Sequence, residues 1–363
     1  MGRRIITAPM VADPFWDRRA FSIVGRHFAW IDVVFAAMVR GDWSAFERRL
    51  AEGLACAARA DVDAASPPDE AIDEAATAYR YDRDLISAAD VTVWLDRVGL
   101  SADEWIEYLR RDLLRQQWSG ELDDLLDRFA PSARDLVETA VVDGICSGAF
   151  DAFEGAFAGR AALVFEADAA RFDRLCENCD RPTIDPRATQ LAQTHAHWLS
   201  VATDSDPVAR LSLVTGIEQA YAAIADAIAS NGRLSEIVDD NRLAWMRLEI
   251  DTMSFASEAA AREALLCVRA DGLSLHDVAA LSRSAVQRAV VTFDDLEPVR
   301  QEVLLAAEPG SAVGPMSVDG GFDVALLVNR AAPALSDPAI AARAKAVAVN
   351  RAEQQAARDH VRR

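Results

Sequence analysis

Basic charge is scarce in this chain. Lys345 is its only lysine, and 38 Lys and Arg face 58 Asp and Glu, for a net charge of −20 over 363 residues. That surplus repels nucleic-acid phosphate and anionic membrane surfaces, which argues against both as partners. Long apolar runs are missing too: none approaches the ~18 residues that a membrane span needs. The opening residues, MGRRIITAPMVADPFWDRR, lack the apolar core of a secretory signal, so a cytoplasmic location is expected. Cysteines number five, an odd count in a chain read as cytoplasmic, which points to reduced thiols rather than a disulfide framework. There is no nucleophile elbow, phosphate-binding glycine loop or zinc-protease helix. No cofactor is expected.

What is abundant is Ala, Leu, Arg and Glu, all strong helix formers, so the expected fold class is mainly α. A first helical block runs from about Phe21 to Trp118. Within it, Ser101 and Glu104 form a capping-box pattern, and Trp105, Leu109 and Leu113 recur every four residues as an apolar stripe. A second block, from Glu121 to Leu243, echoes the first. Gly41–Asp61 lies over Gly148–Asp168 at a constant offset, with Trp43 opposite Phe150, and Trp94 pairs with Trp198 further on; a duplication would produce this pattern. Near the C-terminus, Asp337 followed by Pro338 reads as N-cap and first helical residue. From Ser336 onward the charge turns positive, which suits a helix docked on an acidic body.

Between these lies a segment of different pattern. MRLEIDTMSF is a short apolar run, ASEAAAREALLCVRADG and LSLHDVAALS are helical, and VLLAAEPGSAVGPMSVDGGFDVALLVNR has a helix end, a Pro-Gly turn and a hairpin. This order resembles the parvulin type of peptidyl-prolyl isomerase domain. Set among helical blocks, it resembles the SurA family of peptide chaperones, closest in style to parvulin-related proteins of ribosomally made peptide clusters. The resemblance implies a SurA-N-like helical domain at 1–118, a degenerate parvulin-like domain at 246–330, and a C-terminal helix at 331–363 packing back on the helical body; the second helical domain between them, at 119–245, which a duplication would make a repeat of the first, is not accounted for by simple members of that family.

The resemblance also shows what is missing. No His stands between Met246 and Leu275, Asp323 occupies the place where parvulins carry His on the last strand, the family's glycine turn is absent between Ser282 and Phe293, and Val299 replaces a pocket Phe. His276 falls early in a helix. The expectation is therefore a non-catalytic, chaperone-like peptide binder acting in maturation of a ribosomally made peptide, with the precursor peptide and a modifying enzyme as partners. The alternative is a divergent isomerase or a metal-dependent modifier. An extended peptide can add to a sheet edge, and Phe255, Phe322, Asp323 and Val324 are the candidate binding residues. For metal, Cys176 and Cys179 form a C-x-x-C and His195 and His197 follow, the right ligand types for zinc. On one helix, however, residues two apart diverge by about 200°. Cys56, Cys146 and Cys267 read as small core residues.

Overall fold

A computed structural model describes residues 14–177, 186–202, 207–230 and 233–363. The protein is mainly helical, with two small antiparallel sheets. Seven strands are described: β1 (Arg19–Ile23), β2 (Arg26–Ala29), β3 (Arg247–Phe255), β4 (Gln287–Thr292), β5 (Ala312–Val318), β6 (Gly321–Ala331) and β7 (Val361–Arg362). The chain divides into two compact units, one comprising Met1–Ala225 with Ala352–Arg363, the other Asp226–Arg351. No described helix is long and apolar enough to cross a membrane.

The first unit contains most of the expected helices. The capping box at Ser101 forms: Ser101 N–H donates to Glu104 at 2.7 Å and Glu104 N–H to the Ser101 hydroxyl at 3.2 Å. The same reciprocal cap opens helices at Ser87 and Ser132. The apolar stripe of that helix shifts at its end. Trp105 and Leu109 are buried, but Leu114 is the core residue and Leu113 only half-buried. The reason is that the helix serves two clusters: Trp105 and Leu109 join Tyr79 and Trp94, whereas Leu114 joins Cys56 and Trp118.

Residues 19–29, expected as part of the first helical block, are instead the β1–β2 hairpin. Its two turn residues, Val24 and Gly25, both have positive φ, the combination that matches strand twist in a tight hairpin. β7 adds to the other side of β1, pairing Ser22 with Arg362 and Ile23 with Val361. Gly41 and Gly148 each join two helices with positive φ. The helix Trp30–Arg40 packs on Ala149–Ala167, and Asp42–Asp63 packs on Ala133–Cys146. The centre is aromatic: Trp16, Trp43, Trp198, Phe21, Phe28, Phe150 and Phe157 are fully buried.

The second unit is built on the sheet β4-β3-β6-β5, antiparallel throughout. Two helices, Glu258–Arg269 and Leu275–Ser282, connect β3 to β4, and a third, Pro298–Ala306, leads from β4 to β5. Alternation sends Met253 and Val324 to one face, against Ala261, Leu265 and Leu275. It sends Leu248, Ile250 and Leu327 to the other, against Leu304 and Phe293. Gly321 tolerates no side chain, because a Cβ there would sit 2.3 Å from the Phe255 carbonyl oxygen. The final helix, Pro338–His360, begins as its sequence predicts, with Ala339 N–H donating to Asp337 at 2.9 Å.

Candidate functional site

Strand register decides which of the expected binding residues can meet. Phe255 is paired with Phe322 across β3 and β6, and both lie half-buried beside the cluster of the two connecting helices. Val324 faces the same way and is fully buried beneath them. Asp323, between Phe322 and Val324, points through the sheet to the opposite face. The structure thus brings the two phenylalanines together and separates them from the carboxylate.

Asp323 is 3 % exposed and fully engaged. The Ser254 hydroxyl donates to Oδ1 at 2.6 Å, and Arg300 from the helix Pro298–Ala306 pairs with Oδ2. Ser254 lies opposite Asp323 on β3, and Met316 opposite it on β5. Arg300 therefore meets the row Ser254–Asp323–Met316 at its central residue. Neither Ser254 nor Arg300 was foreseen from sequence, although Arg300 follows the exposed Val299 directly. Each carboxylate oxygen thus accepts one bond from the protein, which fixes the orientation of this group.

A second carboxylate lies on the face covered by the two helices that connect β3 to β4. Asp251 on β3 is 1 % exposed and receives both Nε and Nη2 of Arg288 on β4, at 2.7 and 2.8 Å. These bidentate bonds hold its carboxyl below the usual range, more than offsetting burial. A group with a depressed folded-state value contributes stability that is present above the unfolded value, ~4, and lost as pH falls through the folded one. An NMR titration of the Asp251 carboxyl should accordingly give a midpoint below that of an ordinary aspartate, moving up in Arg288→Ala; the same midpoint in both proteins would mean that the pair is broken in solution. His276 is exposed, at the start of its helix.

Among the described residues the metal candidates form no common site. Cys179 lies outside the described residues. Cys176 lines a cavity of about 370 Å³ with His27, Phe28, Asp32 and Arg210. Asp32 is buried there, its carboxyl raised by that burial against the pull of Arg210 at 3.1 Å and of the Ala29 N–H at 2.8 Å. His195 and His197 meet elsewhere. The helix breaks at His195, so the divergence expected of residues two apart on one helix does not apply. Both imidazoles reach Glu47: His197 Nε2 lies 3.0 Å and His195 Nδ1 3.5 Å from its carboxylate. Burial raises the Glu47 carboxyl, but the two imidazoles together outweigh it and hold it below its ordinary value. No group of three His, Cys, Asp or Glu among the described residues is placed to hold a metal ion. Cys56 and Cys146 are core thiols, pushed by burial to about 11 and about 12; Cys267, expected in the core, is only half-buried.

Peptide addition along β6 itself is closed, since β3 and β5 occupy both of its sides. The edges that remain are those of β4 and β5. Comparison with protein-family models, with curated proteins and with solved structures gives no match to this chain.

Proposed function

We propose that this protein is a non-catalytic, chaperone-like peptide binder whose second unit is a degenerate parvulin-like domain, acting on a ribosomally made precursor peptide. The observation that carries this reading is the order of elements around one sheet. A strand, two helices, then a helix and a closing hairpin follow one another from Arg247 to Ala331 in the order of the resemblance, with a further strand, β4, between the second and third helices. At the position where that resemblance expects a histidine, Asp323 is held by Ser254 and Arg300. Rotation about a prolyl amide crosses a barrier of up to ~18–20 kcal/mol, and a carboxylate bonded to Ser254 and Arg300 stands in place of the histidine that the resemblance expects beneath it. The reciprocal packing of the two helix pairs in the first unit supports a duplicated, SurA-like helical body. The final turns of the helix Pro338–His360, which belong to that unit, bring Glu353 beside Gly159 and His360 beside Phe165.

Fluorescence anisotropy with a panel of labelled decapeptides, run beside a proline-isomerisation assay, tests the reading. Micromolar binding without acceleration of isomerisation is expected. Absence of binding at high micromolar protein would overturn peptide recognition, and clear acceleration would overturn the non-catalytic assignment.

A further inference from the structure

The two edges of the second unit's sheet are treated in opposite ways. β5 is guarded. Pro315 has no N–H to offer, the register with β6 breaks between Val313 and Met316, and Arg269 donates to the Ala312 carbonyl at 3.0 and 2.8 Å. The helices Glu258–Arg269 and Pro298–Ala306 both pack on this strand.

β4 has none of these devices. Its six residues pair with β3 without a register shift, and Gln287 to Val290 are exposed. It contains no proline. Its one charged side chain, Arg288, is folded back on Asp251 and on Glu249, 3.4 Å away, instead of standing guard at the rim. The phase of the ladder follows from the bond of Phe293 N–H to the Met246 carbonyl at 2.9 Å. By alternation from that pair, Gln287, Ala289 and Val291 bond to β3, while Arg288 and Val290 turn N–H and C=O outward. Among the described residues, no backbone group bonds to that outer side. An unguarded edge of this kind is a template for a further strand.

Behind the edge lies a cleft of about 300 Å³, lined by Val290, Glu249, Asn329, Ala331 and Ala334 among others. Val290, Glu249 and Asn329 are register neighbours across β4, β3 and β6, so the cleft starts at the open edge and runs over the sheet. A strand laid along β4 would set one side chain at its mouth.

We infer that β4 is the docking edge for an extended peptide, which joins the sheet as a fifth strand and directs a side chain toward the cleft behind Val290. This rests on the peptide-binding reading and assigns it a surface. The occupant is a neutral or basic peptide. A chain of net charge −20 repels acidic peptides, and it repels a second copy of itself that would pair β4 with β4.

The probe is a labelled ten-residue peptide of alternating Thr and Val with Lys at both ends, compared with the same peptide N-methylated at its central four amides. Val290→Pro removes an outward N–H without breaking a bond to β3, and Val290→Lys places a charge on the open rim. N-methylation and Val290→Pro should each weaken binding about tenfold or more, the effect of losing one or two backbone hydrogen bonds. Val290→Lys should weaken it in the same direction, and serves if the proline variant fails to fold. Binding that all three changes leave unaltered overturns the edge and leaves peptide binding standing. Failure of the wild type to bind any peptide of the panel overturns peptide binding itself, and the edge with it. A wild-type dimer in sedimentation that Val290→Pro or Val290→Lys dissolves overturns the peptide in favour of a second copy.

Discussion

Arg300→Ala should destabilise the second unit by about 3 kcal/mol, and Asp323→Ala added to it should recover most of the loss. Asp323 is buried at 3 % exposure in the centre of the sheet, and its carboxylate is compensated by one guanidinium and one hydroxyl. Removing Arg300 leaves the hydroxyl alone against the cost of holding an anion out of water. Arg300 is itself partly exposed, at 26 % of its side chain, so water can reach the vacated space, and the lower end of the range of about 3–5 kcal/mol is the right expectation. Removing both groups deletes the uncompensated charge, which is why the double variant should be the milder one. Native-state hydrogen exchange of the β3 and β6 amides reads the opening of this sheet directly. A loss below about 1 kcal/mol for the single variant, or an additive loss for the double, would show that the pair does not hold the sheet.

What could be read from the sequence depended on whether a feature was local. The cap at Ser101, the start at Asp337-Pro338 and the apolar run Met246–Phe255 are set by residues within a few positions of each other; the cap and the helix start form where expected, and all but the first residue of the run is β3. The hairpin at 19–29 was missed because its strands are short and its turn has Val24 at a positive φ that β-branched residues rarely adopt. β4 was missed for another reason: Gln287–Val290 are exposed, so the strand carries no burial pattern and exists through its register with β3. At the site, the candidates Phe322, Asp323 and Val324 are adjacent in the chain, and a period of two was enough to split them between faces. Arg300 was not legible. Only the packing of the helix Pro298–Ala306 brings it over Asp323, and an arginine in a helix carries no mark of its partner. The convergence of His195 and His197 on Glu47 depends on a helix break that no glycine or proline announces.

Trp198→Ala should cost the first unit about 3–5 kcal/mol, and Trp198→Phe much less, about 1 kcal/mol. Trp198 has no exposed surface, and its ring meets Trp43 at 4.9 Å and Trp16 at 5.3 Å between centroids, both edge-on. Alanine leaves a void that three separate segments border: the stretch before β1, the helix Asp42–Asp63 and the helix Ala196–Ala202. Closing it would need all three to move, and close-packed interiors relax only in part. Phenylalanine retains most of the ring contact. It also deletes an indole N–H that no acceptor among the described residues meets, since Nε1 of Trp198 is buried without a partner there, as are those of Trp16 and Trp43. Loss of an unmet donor offsets part of the lost volume, because a buried polar group without a partner costs about 1–3 kcal/mol. Urea denaturation followed by far-UV circular dichroism separates the two variants without relying on tryptophan emission. Equal losses for Phe and Ala would mean that the indole N–H is satisfied in solution. A small loss for both would mean that the three tryptophans do not form the centre of this unit.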